Sequence, residues 1–215
     1  CFLIMVDPNF VTFRLLCEYL NVCIDKIPVN FQSMTLSGQF SYALMMSIMG
    51  GAVLAFPYIF YQLWSFVKPG LKFKERKMAK GIVFYVSILF FTGILFGYFV
   101  VAPLSVQFFG AFQITDKIRN DFTISSYMST ILSTVFYTGL FFLLPVVTYL
   151  LVKIGLFTPE FLVKYRKHAV VVILILAAII TPPDVISQVI VTIPIYLLFE
   201  ISVLVAKRVA KNQQE

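Results

Sequence analysis

Five stretches of this chain are long, apolar and nearly free of charge, and no other feature constrains its folding as strongly. A hydrocarbon core about 30 Å thick offers a peptide group no hydrogen bond, so a helix that crosses it needs roughly 20 apolar residues in a row. Candidate spans run over about 41–66, with Gly50-Gly51 and Pro57 inside, 81–103, and 128–152, which contains Pro145. A fourth, 169–180, has only 12 apolar residues, and a fifth, 185–206, is interrupted by Gln188, Pro194 and Glu200. Of the 215 residues, 60% are hydrophobic and 13% charged, against roughly 45–50% and about 25% in a soluble domain. So little charge cannot cover a water-facing surface, which excludes a soluble enzyme domain, a disordered regulator and a collagen-like fibre. The expected fold class is all-α, a polytopic membrane protein.

The net charge of +7 does not indicate a nucleic-acid partner, because the basic residues cluster between the spans. Lys68, Lys72, Lys74, Arg76, Lys77 and Lys80 follow the first span, and Lys153, Lys164, Arg166 and Lys167 follow the third. Lys207, Arg208 and Lys211 follow the last. Only Arg14, Lys26, Lys117 and Arg119 stand on the other side, among Asp7, Glu18, Asp25, Asp116, Asp121 and Asp184. Thirteen against four places the carboxyl end, residues 207–215, in the cytoplasm. With five spans, residues 1–37 become an extracytoplasmic loop, and a start on that side points to a missing first helix. Residues 10–20 are apolar at helical spacing and predict a short helix on the membrane face. Cys17 and Cys23 would then share an oxidising compartment, either bridged or as two thiols. The three cysteines make no metal-ligand pattern with His168.

Catalytic arrangements are scarce. There is no Gly-rich phosphate loop, no His-Glu-x-x-His and no Gly-x-Ser-x-Gly. His168 follows Arg166-Lys167 at a span boundary, a position suited to topology rather than chemistry. Glu75 is the lone carboxylate in a basic loop, either an internal ion pair with Arg76 or Lys72, or an acceptor for a partner's guanidinium. Glu200 lies inside the last span, where an ionisable group is costly, unless it snorkels to the cytoplasmic end. Asp184 follows two prolines and suits the N-cap of the last helix. The Thr181-Pro-Pro-Asp184 turn joins the two last spans into a hairpin whose short leg requires local membrane thinning. Pro57, Pro145 and Pro194 are expected to kink their helices into a cup.

Phe56-Pro-Tyr-Ile-Phe-Tyr-Gln-Leu-Trp-Ser-Phe66, then Lys68-Pro-Gly-Leu and Lys74-Glu-Arg-Lys77, closely resembles the second helix and first cytoplasmic loop of the TatC family. These are the multi-spanning receptor subunits of the twin-arginine protein translocase. Phe96-Gly-Tyr-Phe-Val-Val-Ala-Pro-Leu104 is similar to the end of the family's third helix. Thr181-Pro-Pro-Asp-Val-Ile-Ser-Gln188 and Ile193-Pro-Ile-Tyr-Leu-Leu-Phe-Glu-Ile201 are similar to its last hairpin. The resemblance covers about residues 38–206, in order.

The resemblance implies six helices in a cup in the bacterial inner membrane, of which five are visible here. It implies binding of twin-arginine signal peptides and assembly with TatA- and TatB-like single-span subunits and with further copies of itself. The implied activity is export of folded proteins driven by the proton-motive force, with no cofactor. By position, Glu75 and Phe66 resemble the signal-peptide-binding residues. Asp184, Gln188 and Glu200 resemble polar positions of the last hairpin near the partner-binding helix. One departure is Leu143, which stands two residues before Pro145 where relatives often carry a polar residue. The competing class is a proton-coupled small-solute secondary transporter, with Glu200 as its intramembrane carboxylate.

Overall fold

A computed structural model describes residues 30–32, 36–67, 79–112, 121–153, 157–181 and 184–214. The chain is an all-helical polytopic membrane protein with one small addition. Its elements are β1 (Asn30–Gln32), α1 (Gly38–Val67), α2 (Ala79–Phe96), a π-helical turn (Gly97–Val101), α3 (Ala102–Ala111), β2 (Asp121–Thr123), α4 (Ile124–Phe141), α5 (Leu144–Lys153), α6 (Pro159–Lys164), α7 (Arg166–Ile180) and α8 (Val185–Gln214).

Among the described residues, four helical stretches are long and apolar enough to cross a membrane: Gly38–Phe66, Gly81–Gly110, Ile124–Val152 and Val185–Arg208. The fifth expected span is α7, whose 15 residues rise about 22 Å at 1.5 Å per residue, short of a normal hydrocarbon core. Large apolar side chains such as Leu54, Phe84, Ile179 and Leu197 are exposed along these helices, as expected where hydrocarbon rather than water surrounds them.

Three expectations change on contact with the structure. The second span does not stop near Pro103 but continues to Ala111. Pro103 has no N–H to donate one turn back. The chain absorbs that loss by widening to a π turn, in which the Ala102 N–H reaches the Gly97 carbonyl. The third span is two helices rather than one, with a break at Phe142-Leu143 just before Pro145. By contrast α1 and α8 run on through Pro57 and Pro194. Finally, the expected carboxyl tail is mostly helix, because α8 extends to Gln214.

The loop expected over 1–37 contributes β1, which pairs in parallel with β2 in the register Asn30↔Asp121, Phe31↔Phe122, Gln32↔Thr123. A parallel pair needs a long crossover, and here the crossover consists of α1, α2 and α3. Thr123 then caps α4, its hydroxyl accepting from the Ser126 N–H at 3.4 Å. The helix expected over 10–20, Cys17 and Cys23 lie outside the described residues.

Packing proceeds in three clusters along the molecule. Ala102 and Val106 meet Ile131 and Val135 near the β end. Val101 joins Ile173, Ala177, Ile180, Val191 and Ile195 in the middle. Val152, Leu162, Val203 and Ala206 close the opposite, basic end, where α5, α6 and α8 converge. Glycines bring α2 and α4 into close contact. A Cβ at Gly93 would lie 2.7 Å from the Phe142 Cβ and 2.9 Å from the Gly139 Cα, and one at Gly139 would lie 2.7 Å from the Ile94 Cδ1. Gly97, four residues after Gly93, lies against the Val135 backbone, where a Cβ would approach to 3.0 Å. In hydrocarbon, where apolar burial does not drive helices together, such small-residue seams permit the close contact that does. Gly93→Val is expected to destabilise the protein by about 1–3 kcal/mol through overpacking, read as a lowered unfolding midpoint in detergent. Gly81→Val, at a glycine with open space around it, is expected to leave that midpoint nearly unchanged.

Candidate functional site

The polar residues singled out in the sequence fall into two groups at opposite ends of the α7–α8 hairpin, with Phe66 on a third element. At the β end, Asp184 precedes α8 and caps it. Its Oδ2 accepts from the Ser187 N–H at 2.9 Å and from the Ser187 hydroxyl at 2.8 Å. These two bonds, the backbone one foremost, hold the Asp184 carboxyl below the usual carboxylate range. One turn on, the Gln188 side-chain amide crosses to α7 and donates to the Leu174 carbonyl at 3.1 Å. Thr181 ends α7 by donating both its N–H and its hydroxyl to the Ala177 carbonyl, each at 2.9 Å. The Thr134 hydroxyl of α4 reaches the Ile180 carbonyl at 3.5 Å. Asp184, Ser187, Thr181, Gln188 and Thr134 thus fasten the hairpin turn to itself and to α4, with Thr134, Thr181 and Ser187 buried.

Glu200 lies twelve residues after Gln188, about 18 Å further along α8, so the structure does not bring these two together. Instead the Glu200 Oε2 pairs with Arg166 Nη2 at 2.9 Å, and its Oε1 accepts from the Tyr196 hydroxyl at 3.0 Å. Arg166 is the first residue of the short α7. The pair therefore sits where the short leg of the hairpin begins and α8 continues alone. Both side chains are partly exposed, and the Arg166 Nε is buried with no hydrogen-bond partner. The fork is anchored at one edge only. Glu200 is thus not an isolated carboxylate: a cation and a hydroxyl hold it at the level where α7 begins. Sequence reasoning missed Arg166, treating it as one of several topogenic charges, because a partner 34 residues away shows no local spacing.

Phe66 is the penultimate residue of α1 and is 86% exposed. Two residues earlier Trp64 is buried, its indole N–H without a hydrogen-bond partner. The rings of Phe56, Phe60 and Trp64 follow one another at 6.2 and 6.4 Å along this end of α1. Glu75, expected to act beside Phe66, lies outside the described residues. Leu143 occupies the helix break, its carbonyl accepting from both Val146 N at 2.9 Å and Val147 N at 3.0 Å. A cavity of about 140 Å³ between α3 and α4, lined by Val106, Phe109, Phe122, Ser126, Tyr127 and Thr130, is smaller than the roughly 300–1,000 Å³ of small-molecule sites. Among the described residues no cluster of His, Cys, Asp or Glu could hold a metal ion.

Two measurements test the hairpin. Asp184→Ala is expected to cost about 1 kcal/mol by loss of the cap, and Asp184→Asn much less, because asparagine caps comparably. A carboxyl with a lowered folded-state pKa contributes stability that is full above its unfolded value near 4. That stability is lost as pH falls through the folded value. Asp184→Asn is therefore expected to flatten the acid limb of the stability profile. For the ion pair, thermal unfolding of Arg166→Ala, Glu200→Ala and the double variant is expected to yield a coupling on the order of 1 kcal/mol. Additive losses would show that the pair contributes nothing.

The family model described as Sec-independent protein translocase protein (TatC) matches residues 1–194. The Sec-independent protein translocase protein TatC of Blattabacterium sp. subsp. Periplaneta americana (strain BPLAN) is 41% identical over 185 residues, which is 86% of this chain and 70% of that protein. That of Carboxydothermus hydrogenoformans is 38% identical over 207 residues, 94% of this chain and 85% of its own length. A crystal structure of the twin arginine translocase receptor TatC in DDM aligns with a TM-score of 0.72 at 31% identity, covering 95% of this chain and 85% of that one.

Proposed function

Because the chain belongs to the TatC family of Sec-independent protein translocase proteins, we propose that it is the receptor core of a twin-arginine translocase. Membership makes it a multi-pass membrane component of a protein translocase and not an enzyme. The finer reading is that it binds twin-arginine signal peptides on the cytoplasmic side of a bacterial inner membrane. There it assembles with TatA- and TatB-like subunits and exports folded proteins at the expense of the proton-motive force. Both its carboxyl end and its basic loops face the cytoplasm in this reading, as the charge asymmetry demands.

The observation that carries the proposal is the alignment with a solved twin-arginine translocase receptor over nearly the whole chain. The residues supply the chemistry. Glu75 is a lone carboxylate among Lys72, Lys74, Arg76 and Lys77, so an incoming pair of guanidinium groups has one bidentate acceptor there, and the surrounding cations disfavour its binding in any other register. Phe66 adds an exposed apolar face at the end of α1, suited to the hydrophobic part of a signal peptide. The hairpin, with Asp184 and Gln188 engaged at one end and Glu200 at the other, offers partner helices a rigid α8.

Export of a folded twin-arginine reporter tests this in a strain lacking its own TatC, using the full-length gene product with matched TatA- and TatB-like subunits. The wild type is expected to restore export, and Glu75→Ala to lower it at least about tenfold, as loss of a charge-assisted bidentate acceptor implies. Normal export by Glu75→Ala would remove that residue from the signal site. Failure of the wild type, with all three subunits in the membrane, would overturn the receptor reading.

A further inference from the structure

The elbow between α6 and α7 carries a feature that neither the hairpin nor the signal-binding residues use. Four rings follow one another across it: Phe157 and Phe161 at 5.2 Å, Phe161 and Tyr165 at 4.4 Å, Tyr165 and His168 at 5.3 Å between centroids. Buried Leu162 anchors the elbow against Val203 and Ala206 of α8, yet Phe161, Tyr165 and His168 remain exposed. Lys164 and Lys167, three residues apart and both exposed, flank the ladder. Arg166, between them, is already engaged by Glu200. The nearest other carboxylate in the segment, Glu160, stands in the first turn of α6.

The elbow marks the boundary of the hydrocarbon. The apolar run of α7 starts at Ala169, directly after His168, and aromatic rings with a polar edge or neighbour settle at headgroup level. Ammonium groups on flexible stems reach from such a depth to phosphate oxygens. An exposed pair of lysines beside a ring ladder, neither of them ion-paired among the described residues and offset only by Glu160, carries a net positive charge complementary to an anion held at an apolar edge. A peptide bearing paired arginines is repelled by the same charges. We propose that the α6–α7 elbow is a docking surface for the headgroup of an anionic phospholipid. Lys164 and Lys167 pair with its phosphate, and the Phe161 and Tyr165 rings lie along its glycerol and upper acyl region.

Fluorescence quenching in nanodiscs tests the proposal. Phe161→Trp places an indole in the ladder, and the parent protein, whose single tryptophan is the buried Trp64, supplies the background to subtract. At equal mole fraction, brominated phosphatidylglycerol is expected to quench the introduced indole at least about twofold more than brominated phosphatidylcholine. Adding Lys164→Gln and Lys167→Gln is expected to bring that ratio to about one, with the unfolding midpoint unchanged. Equal quenching by both lipids in the Phe161→Trp protein would overturn the proposal, as would a preference that survives loss of both lysines. A spectral shift on adding a polyglutamate peptide, without lipid preference, would assign the surface to an acidic protein partner and overturn it as well.

Discussion

Hydrocarbon offers a peptide group nothing to bond with, and every irregularity in this fold is shaped by that fact. Where Pro103 withholds an N–H, the helix widens into a π turn, in which the Ala102 N–H reaches the Gly97 carbonyl. Where the chain breaks ahead of Pro145, the Leu143 carbonyl takes two N–H groups and the Phe142 and Leu143 N–H groups reach back to Thr138 and Leu140. Hydroxyls within the helices turn inward onto their own backbone, as Ser87 does to Val83 and Thr92 to Ile88. The polar groups of a chain this apolar are thus occupied locally, and those that cross between elements stand out as structural joints.

The hairpin shows how those joints work together. Its turn is tied by Asp184, Thr181 and Gln188, and its open end by the Arg166–Glu200 pair with Tyr196. With both side chains partly exposed, that pair acts more as a positional tie than as a large source of stability. Two ties at the ends of a leg about 22 Å long hold α7 and α8 as one body. α8 then continues past the pair with its far end packed on α5 and α6. A long rigid helix braced by a short one is a firm surface for single-span partners.

Much of this was legible in the sequence. The helices α1, α7 and α8 begin within three residues of their apolar runs, and the N-cap role of Asp184 followed from its place after two prolines. The ends of helices were less legible. Pro103 reads as a stop because proline breaks an ordinary helix, yet a π turn lets one pass. Pro145 reads as a kink, and the chain instead parts two residues earlier. The Gly93-x-x-x-Gly97 spacing was present to be read and marks a tight seam between helices, although its partner Gly139 is fixed only by packing. Glu200 could be placed by depth but not by partner, since Arg166 meets it only once α7 folds back along α8. Phe66 is an exposed ring at the end of α1, and its role, like that of Glu75, is carried by the resemblance.

The pairing of β1 with β2 bears on the order in which the protein is made. Its two strands are separated by about ninety residues of chain, and everything between them must be threaded into the bilayer before they can meet. Until then neither strand has its partner; afterwards the chain between them, with its two membrane-crossing stretches Gly38–Phe66 and Gly81–Gly110, is closed into a hydrogen-bonded ring. The three-residue ladder is therefore a latch that can engage only once the chain between its two strands is in place.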